Sequence, residues 1–153
     1  MVTADDLSDI WFFQGLSEKH KEKIGALCEP IEYKATQVIF REYTPAQQVF
    51  IQKSGRIAIT IDVGNERTAL VGTITSGRMF GWSALVPPNQ WTATASAIEN
   101  SVVYRIDGEA LRKMMEEDTE LGYQFMRRLV AVVSGRLKDT RLQLISLMNW
   151  PRD

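Results

Sequence analysis

The chain has 153 residues, of which 44% are apolar and 24% charged, with a net charge of −1; this is the profile of one globular domain with a sizeable core. Lys plus Arg number 18 against 19 for Asp plus Glu, with no basic block to mark a nucleic-acid face, no apolar run near a membrane span and no signal-peptide pattern. The single Cys28 excludes an internal disulfide, and the single His20 argues against a His-rich metal site or a nucleophile–histidine pair, so a cytoplasmic, non-enzymatic, metal-free protein is expected.

Thr3 to about Ile10 reads as a short helix, with Thr3-Ala4-Asp5-Asp6 as a capping box. Trp11, Phe12, Phe13 and Leu16 form an apolar plug around Gly15. Ser17 caps a second helix whose apolar positions include Ile24 and Leu27 and which Pro30 brings to an end. These helices, over about residues 1–30, read as core.

From Ile31 to Ile106 the hydrophobic period changes to two. Ile31 and Tyr33, Val38 and Phe40, and Val49 and Ile51 alternate with neighbours on the other face. After Ser54-Gly55, Ile57, Ile59 and Ile61 point one way and Ala58, Thr60 and Asp62 the other. Gly64-Asn65 turns the chain into Thr68–Ile74, and Val102–Ile106 ends the series. Seven or eight short strands with turn signals every 8–12 residues predict an antiparallel sandwich or barrel over residues 31–106.

Within this series the stretch Arg78–Ala97 stands out. It runs from an apolar strand end (Met79, Phe80) through Gly81 to one helical turn, Trp82–Val86. It breaks at Pro87-Pro88 and resumes as the strand Thr92–Ala97. Free N–H groups at a helical turn and a hydroxyl from the next strand can cradle a phosphate. A surface bulge and hairpin is the alternative reading of the same residues.

Residues 107–150 are helical by pattern. Asp107-Gly108 opens a helix bearing Leu111, Met114 and Met115, and a longer one runs from near Thr119 to about Asn149, roughly 45 Å. Leu121, Phe125, Leu129 and Val132 form one stripe, suited to cover the barrel. Met126, Val130, Val133, Leu137, Thr140, Leu144 and Leu147 form a second, with the alternating four-three spacing of a coiled-coil seam. One broad face packed within the subunit is the alternative, but the seam outruns a small barrel, so a homodimer is expected. Gly135 inside this helix costs about 1 kcal/mol relative to Ala and marks a place for a bend.

Taken in order, Phe13-Gln14-Gly15-Leu16-Ser17, Ser54-Gly55-Arg56, Gly77-Arg78-Met79-Phe80-Gly81 and Thr92-Ala93-Thr94-Ala95 resemble the cyclic nucleotide-binding domain of Crp/Fnr-type regulators. The likeness covers nearly the whole chain. It implies a mainly β fold with flanking helices, an antiparallel double-stranded β-helix or jelly roll plus a long C-terminal dimerisation helix. It also implies a single domain over residues 1–153. In that family the cradle reads Phe-Gly-Glu, then Ala-Leu, then Arg-Thr/Ser-Ala. The Glu holds the ribose 2′-hydroxyl, the Arg pairs with the cyclic phosphate, and a Thr on the long helix contacts the purine. Carried over, the ligand site is Gly81, Trp82, Ser83, Ala84, Trp91, Thr92 and Ala93, with Thr140 near the purine position. Thr140 reads equally as a polar register-setter on the seam.

The departures fall on the charged pair, since Trp82 stands at the Glu position and Trp91 at the Arg position. Losing a bidentate Arg–phosphate contact in a pocket costs on the order of 2–5 kcal/mol, so ordinary cyclic AMP binding is not expected. A substitute cation would come from Arg56, Arg67 or Arg78, with Arg78 the most suggestive. Two readings stay open: the indoles fill the cradle and leave a ligand-free dimerisation or protein-interaction module, or they wall a pocket for a cyclic nucleotide or another planar anionic effector. No cofactor is required by either. Transcription regulators of this type carry a helix-turn-helix domain after the long helix, whereas this sequence stops at Trp150-Pro151-Arg152-Asp153, so specific DNA binding is not expected.

Overall fold

A computed structural model describes residues 1–148. The helix α1 spans Ala4–Ser8, and Thr3 and Asp6 form the reciprocal capping box the sequence predicts. The Ser17 hydroxyl accepts the His20 N–H at the start of α2, Glu18–Leu27. Between them a 3-10 turn, Trp11–Phe13, drives Phe12 and Phe13 into the core, where Phe12 meets Phe125 edge-on at 5.2 Å between ring centres. Pro30 does not end α2. The helix stops at Leu27, and Pro30 lies inside strand β1, Cys28–Tyr33, opposite Tyr104. An edge strand tolerates proline because one of its sides has no ladder to complete, and β1 is such an edge.

Seven further strands follow: β2 Val38–Phe40, β3 Gln48–Ser54, β4 Ile57–Gly64, β5 Arg67–Ile74, β6 Met79–Phe80, β7 Thr94–Ala97 and β8 Ser101–Asp107. They make two four-stranded antiparallel sheets ordered β1-β8-β3-β6 and β2-β7-β4-β5. One core takes Val49, Ile51, Val103 and Ile106 from the first sheet and Ile57, Ile59 and Ala95 from the second. At the β4–β5 turn Asn65 and Glu66 both have positive φ, the mirror-type two-residue turn that matches strand twist. Strand β7 starts at Thr94 rather than Thr92, because the Trp91 backbone first pairs with Thr44 and Tyr43.

Helix α3, Gly108–Glu117, is capped by Asp107, and α4, Thr119–Leu147, by Asp118. Asp118 also takes Lys23 Nζ at 2.7 Å and stands 3.7 Å from His20 Nε2, which ties α2 to the α3–α4 junction. These contacts, with the Lys23 hydrogen bond foremost, hold the Asp118 carboxyl below its ordinary pKa. Leu121, Phe125 and Leu129 are buried and Val132 packs against the core, as the first stripe predicts. The second stripe is bare: Met126, Val130, Val133, Leu137, Leu144 and Leu147 are between 38% and 81% exposed. The α4 helix continues through Gly135. The expected helix end at Asn149 lies outside the described residues.

Candidate functional site

Strand β6 ends at Phe80, and Gly81 then takes a left-handed φ of 80° to start the 3-10 turn Trp82–Leu85. A Cβ at Gly81 would lie 3.0 Å from Phe50 and 3.2 Å from the Trp91 ring, so geometry and space both require glycine there. Asn89 closes the turn by donating from Nδ2 to the Ser83 and Ala84 carbonyls. The loop returns through Trp91, which is 5% exposed and stacked on Phe40 at 3.7 Å and 9°. Phe50 and Phe80 stack behind them at 5.2 Å.

The two indoles do not close the cradle. A cavity of about 320 Å³ lies between it, the β4–β5 hairpin and α4. Gly81, Trp82, Ser83, Trp91, Thr92 and Ala93 all line it, and α4 brings Thr140 to it. Its hairpin side holds Ile59, Ile61, Val71, Gly72 and Thr73. Three successive residues of β5 reach one hollow because the register slips between Ile59–Gly72 and Thr60–Leu70, leaving Val71 as an extra residue. Ala84 is the predicted site residue that stays outside. It is buried against Gly108, and its carbonyl is occupied by Asn89 and by Arg112 at 3.0 Å.

None of the three arginines singled out in the sequence is the cation of this cavity. Arg78 is exposed and its guanidinium lies 3.8 Å from the Trp11 ring centre, a cation–π contact that draws it away from the cradle. Arg56 and Arg67 are exposed at the ends of the β4–β5 hairpin and do not line the cavity. The cation is Arg136 of α4. Its guanidinium sits 5.5 Å from the Trp82 ring centre, and its Nη1 comes within 3.1 Å of where a Cβ on Gly72 would lie. Burial lowers the Arg136 pKa from its ordinary value, and Asp139, which also lines the cavity, partly offsets this. The signal was present four residues before Thr140, since positions i and i+4 share a helix face; the Thr140 hydroxyl donates to the Arg136 carbonyl at 2.9 Å.

The family model for the cyclic nucleotide-binding domain matches residues 30–118. The chain belongs to that family. It is 24% identical over 136 residues to a CRP-like cAMP-activated global transcriptional regulator of Mycobacterium tuberculosis, a match covering 89% of this chain and 59% of the regulator. The chain thus spans about three-fifths of that relative. A second likeness, 24% identity over 132 residues, is to Glutaminase 1 of Bradyrhizobium diazoefficiens and takes in 86% of this chain but 21% of the enzyme. Among solved structures, one described as a cyclic nucleotide-binding protein of Geobacter metallireducens superimposes with a TM-score of 0.79 at 27% identity, covering 90% of this chain and 99% of the other. The antiparallel roll with flanking helices and a long C-terminal helix is therefore the fold of this family. Among the described residues no helix is long and apolar enough to cross a membrane.

Proposed function

We propose that this Crp-like domain is a regulatory effector sensor, cytoplasmic, homodimeric and non-enzymatic, which takes a planar anionic effector in the cavity between roll and α4. The observation that carries the reading is the cavity itself. Trp82 and Trp91 wall about 320 Å³ of space instead of filling it, and a cation faces that space from α4. Small-ligand sites have this character: mostly apolar walls and a few placed polar groups. Ordinary cyclic AMP binding is weakened, because no guanidinium stands at the strand position where the family pairs its phosphate.

The non-enzymatic reading is supported by the family, whose matched model is a ligand-binding domain, and His20 faces Asp118 rather than the cavity. The bare α4 stripe supports the homodimer, since an exposed seam of that spacing is what a second copy would bury. Ligand binding would bear on the dimer through Arg136, Asp139, Thr140 and Gln143, which belong to both the cavity and α4. A ligand shifts the helix only insofar as it prefers one placement over another. The same bare stripe favours a second reading, a ligand-free module that pairs with itself or with another protein.

Melting temperature followed during titration with cyclic AMP, cyclic GMP and flat aromatic acids separates the two. A ligand at a hundred times its Kd adds about 2.7 kcal/mol. A rise with any of them supports the sensor, and no rise with all of them leaves the interaction module. Sedimentation should give a dimer at micromolar concentration and a monomer for Leu137→Glu; a monomeric parent protein would remove the seam from both readings.

A further inference from the structure

The cavity is chemically one-sided. Its roll side presents Phe40, Ile59, Val71, Phe80, Trp82 and Trp91, and its polar side chains there are the hydroxyls of Thr73, Ser83 and Thr92. Every charged group that lines it, Arg136 and Asp139, comes from α4. Among the described residues, the Arg136 side chain takes part in no hydrogen bond and no ion pair. It is half-buried, and Gly72 leaves the room in which its Nη1 sits.

From this arrangement we infer that the cavity selects a small flat aromatic acid carrying one negative charge, held ring-first, with the ring against the aromatic roll wall and the carboxylate on Arg136. The inference rests on reading the cavity as the effector site and goes further in naming the ligand class and its direction.

Four physical features carry it. A guanidinium without a protein acceptor presents a planar fork of donors, and a carboxylate matches that fork with two parallel hydrogen bonds. The roll wall offers mostly apolar and ring surface, with three hydroxyls and no side-chain carboxylate or amide, so a ligand with more polar groups than those hydroxyls can satisfy loses hydrogen bonds to water. Asp139 stands on the same helix three residues after Arg136, so a second negative charge on the ligand would meet repulsion. A volume of about 320 Å³ lies at the small end of the range for ligand sites and suits one or two fused rings.

The test uses the intact protein with naphthoate, its neutral counterpart naphthylmethanol, cyclic AMP and cyclic GMP, measured by calorimetry and by Trp fluorescence. Naphthoate should bind more tightly than the other three. Arg136→Gln should weaken naphthoate by at least about tenfold while leaving naphthylmethanol unchanged, because only the acid uses the guanidinium. Gly72→Ala, which crowds the Arg136 seat, should weaken naphthoate in the same selective way. Nuclear Overhauser contacts from the naphthoate ring should reach Phe40 and Trp91. Ring contacts to Thr140 and Gln143 instead would overturn the orientation. Unchanged naphthoate affinity in Arg136→Gln, or tighter binding of a cyclic nucleotide, would overturn the ligand class while leaving the cavity an effector site. If none of the four binds, the effector site itself is wrong and the inference goes with it.

Discussion

The cavity joins two walls of different construction. The roll wall is core turned outward: Trp91 is buried and stacked on Phe40, and Gly81 is wedged between Phe50 and Trp91. On the helix wall Asp139, Thr140 and Gln143 are exposed, and Arg136 is half-buried with a guanidinium that has no hydrogen-bond partner among the described residues. Trp91, Phe80 and Gly81 of the first wall cannot change without disturbing the packing behind them, whereas its Thr73 and Thr92 are exposed. The second wall can change at little structural cost, which makes it the place where the proposed recognition would be altered.

That contrast is open to direct attack. Trp91→Ala should give the largest effect, a loss of about 3–5 kcal/mol and a fall in melting temperature of about 10 °C, because it removes a buried ring and leaves Phe40 without its stack. Gly81→Ala comes next, at about 1–2 kcal/mol in chemical denaturation, from the left-handed φ alone before any crowding of Phe50. The anchor of the helix wall can be probed with acid. Lys23 and the Leu121 N–H hold the folded Asp118 pKa below the ordinary 3.8. The stabilisation is therefore present above about pH 4 and is lost as pH falls through the folded value. Denaturation midpoints measured downward from pH 5 should drop less steeply in Asp118→Asn than in the parent. Smallest of all, Gln143→Ala should change stability by no more than about 0.5 kcal/mol. A loss above 1 kcal/mol there would mean that α4 is part of the core along its whole length, and the distinction between the walls would vanish.

Much of the scaffold was legible because its causes are local. Thr3, Ser17 and Asp107 cap helices by hydrogen bonds that reach three residues ahead, and Leu121, Phe125 and Leu129 are buried because they repeat at the helical period. Pro30 was misleading because its tolerance in a strand depends on that strand lying at a sheet edge, a property of the assembled sheet. Arg78 misled in a related way. Its closeness to the cradle in the chain suggested a ligand role, but the ring of Trp11, far away in sequence, holds it elsewhere.

The order of turns, strands and caps follows from spacing along the chain, and the motifs at those places carry the resemblance to the family and to its cradle. Two Trp residues at the usual Glu and Arg positions were equally plain, and so was the apolar seam on α4. Whether those rings fill a hollow or wall one, and which cation faces it, were decided only when α4 came to lie beside the β4–β5 hairpin. The seat of Arg136 is made by Gly72 and a one-residue register slip in another element. Contacts between such distant segments depend on how whole elements pack, and no local pattern encodes them.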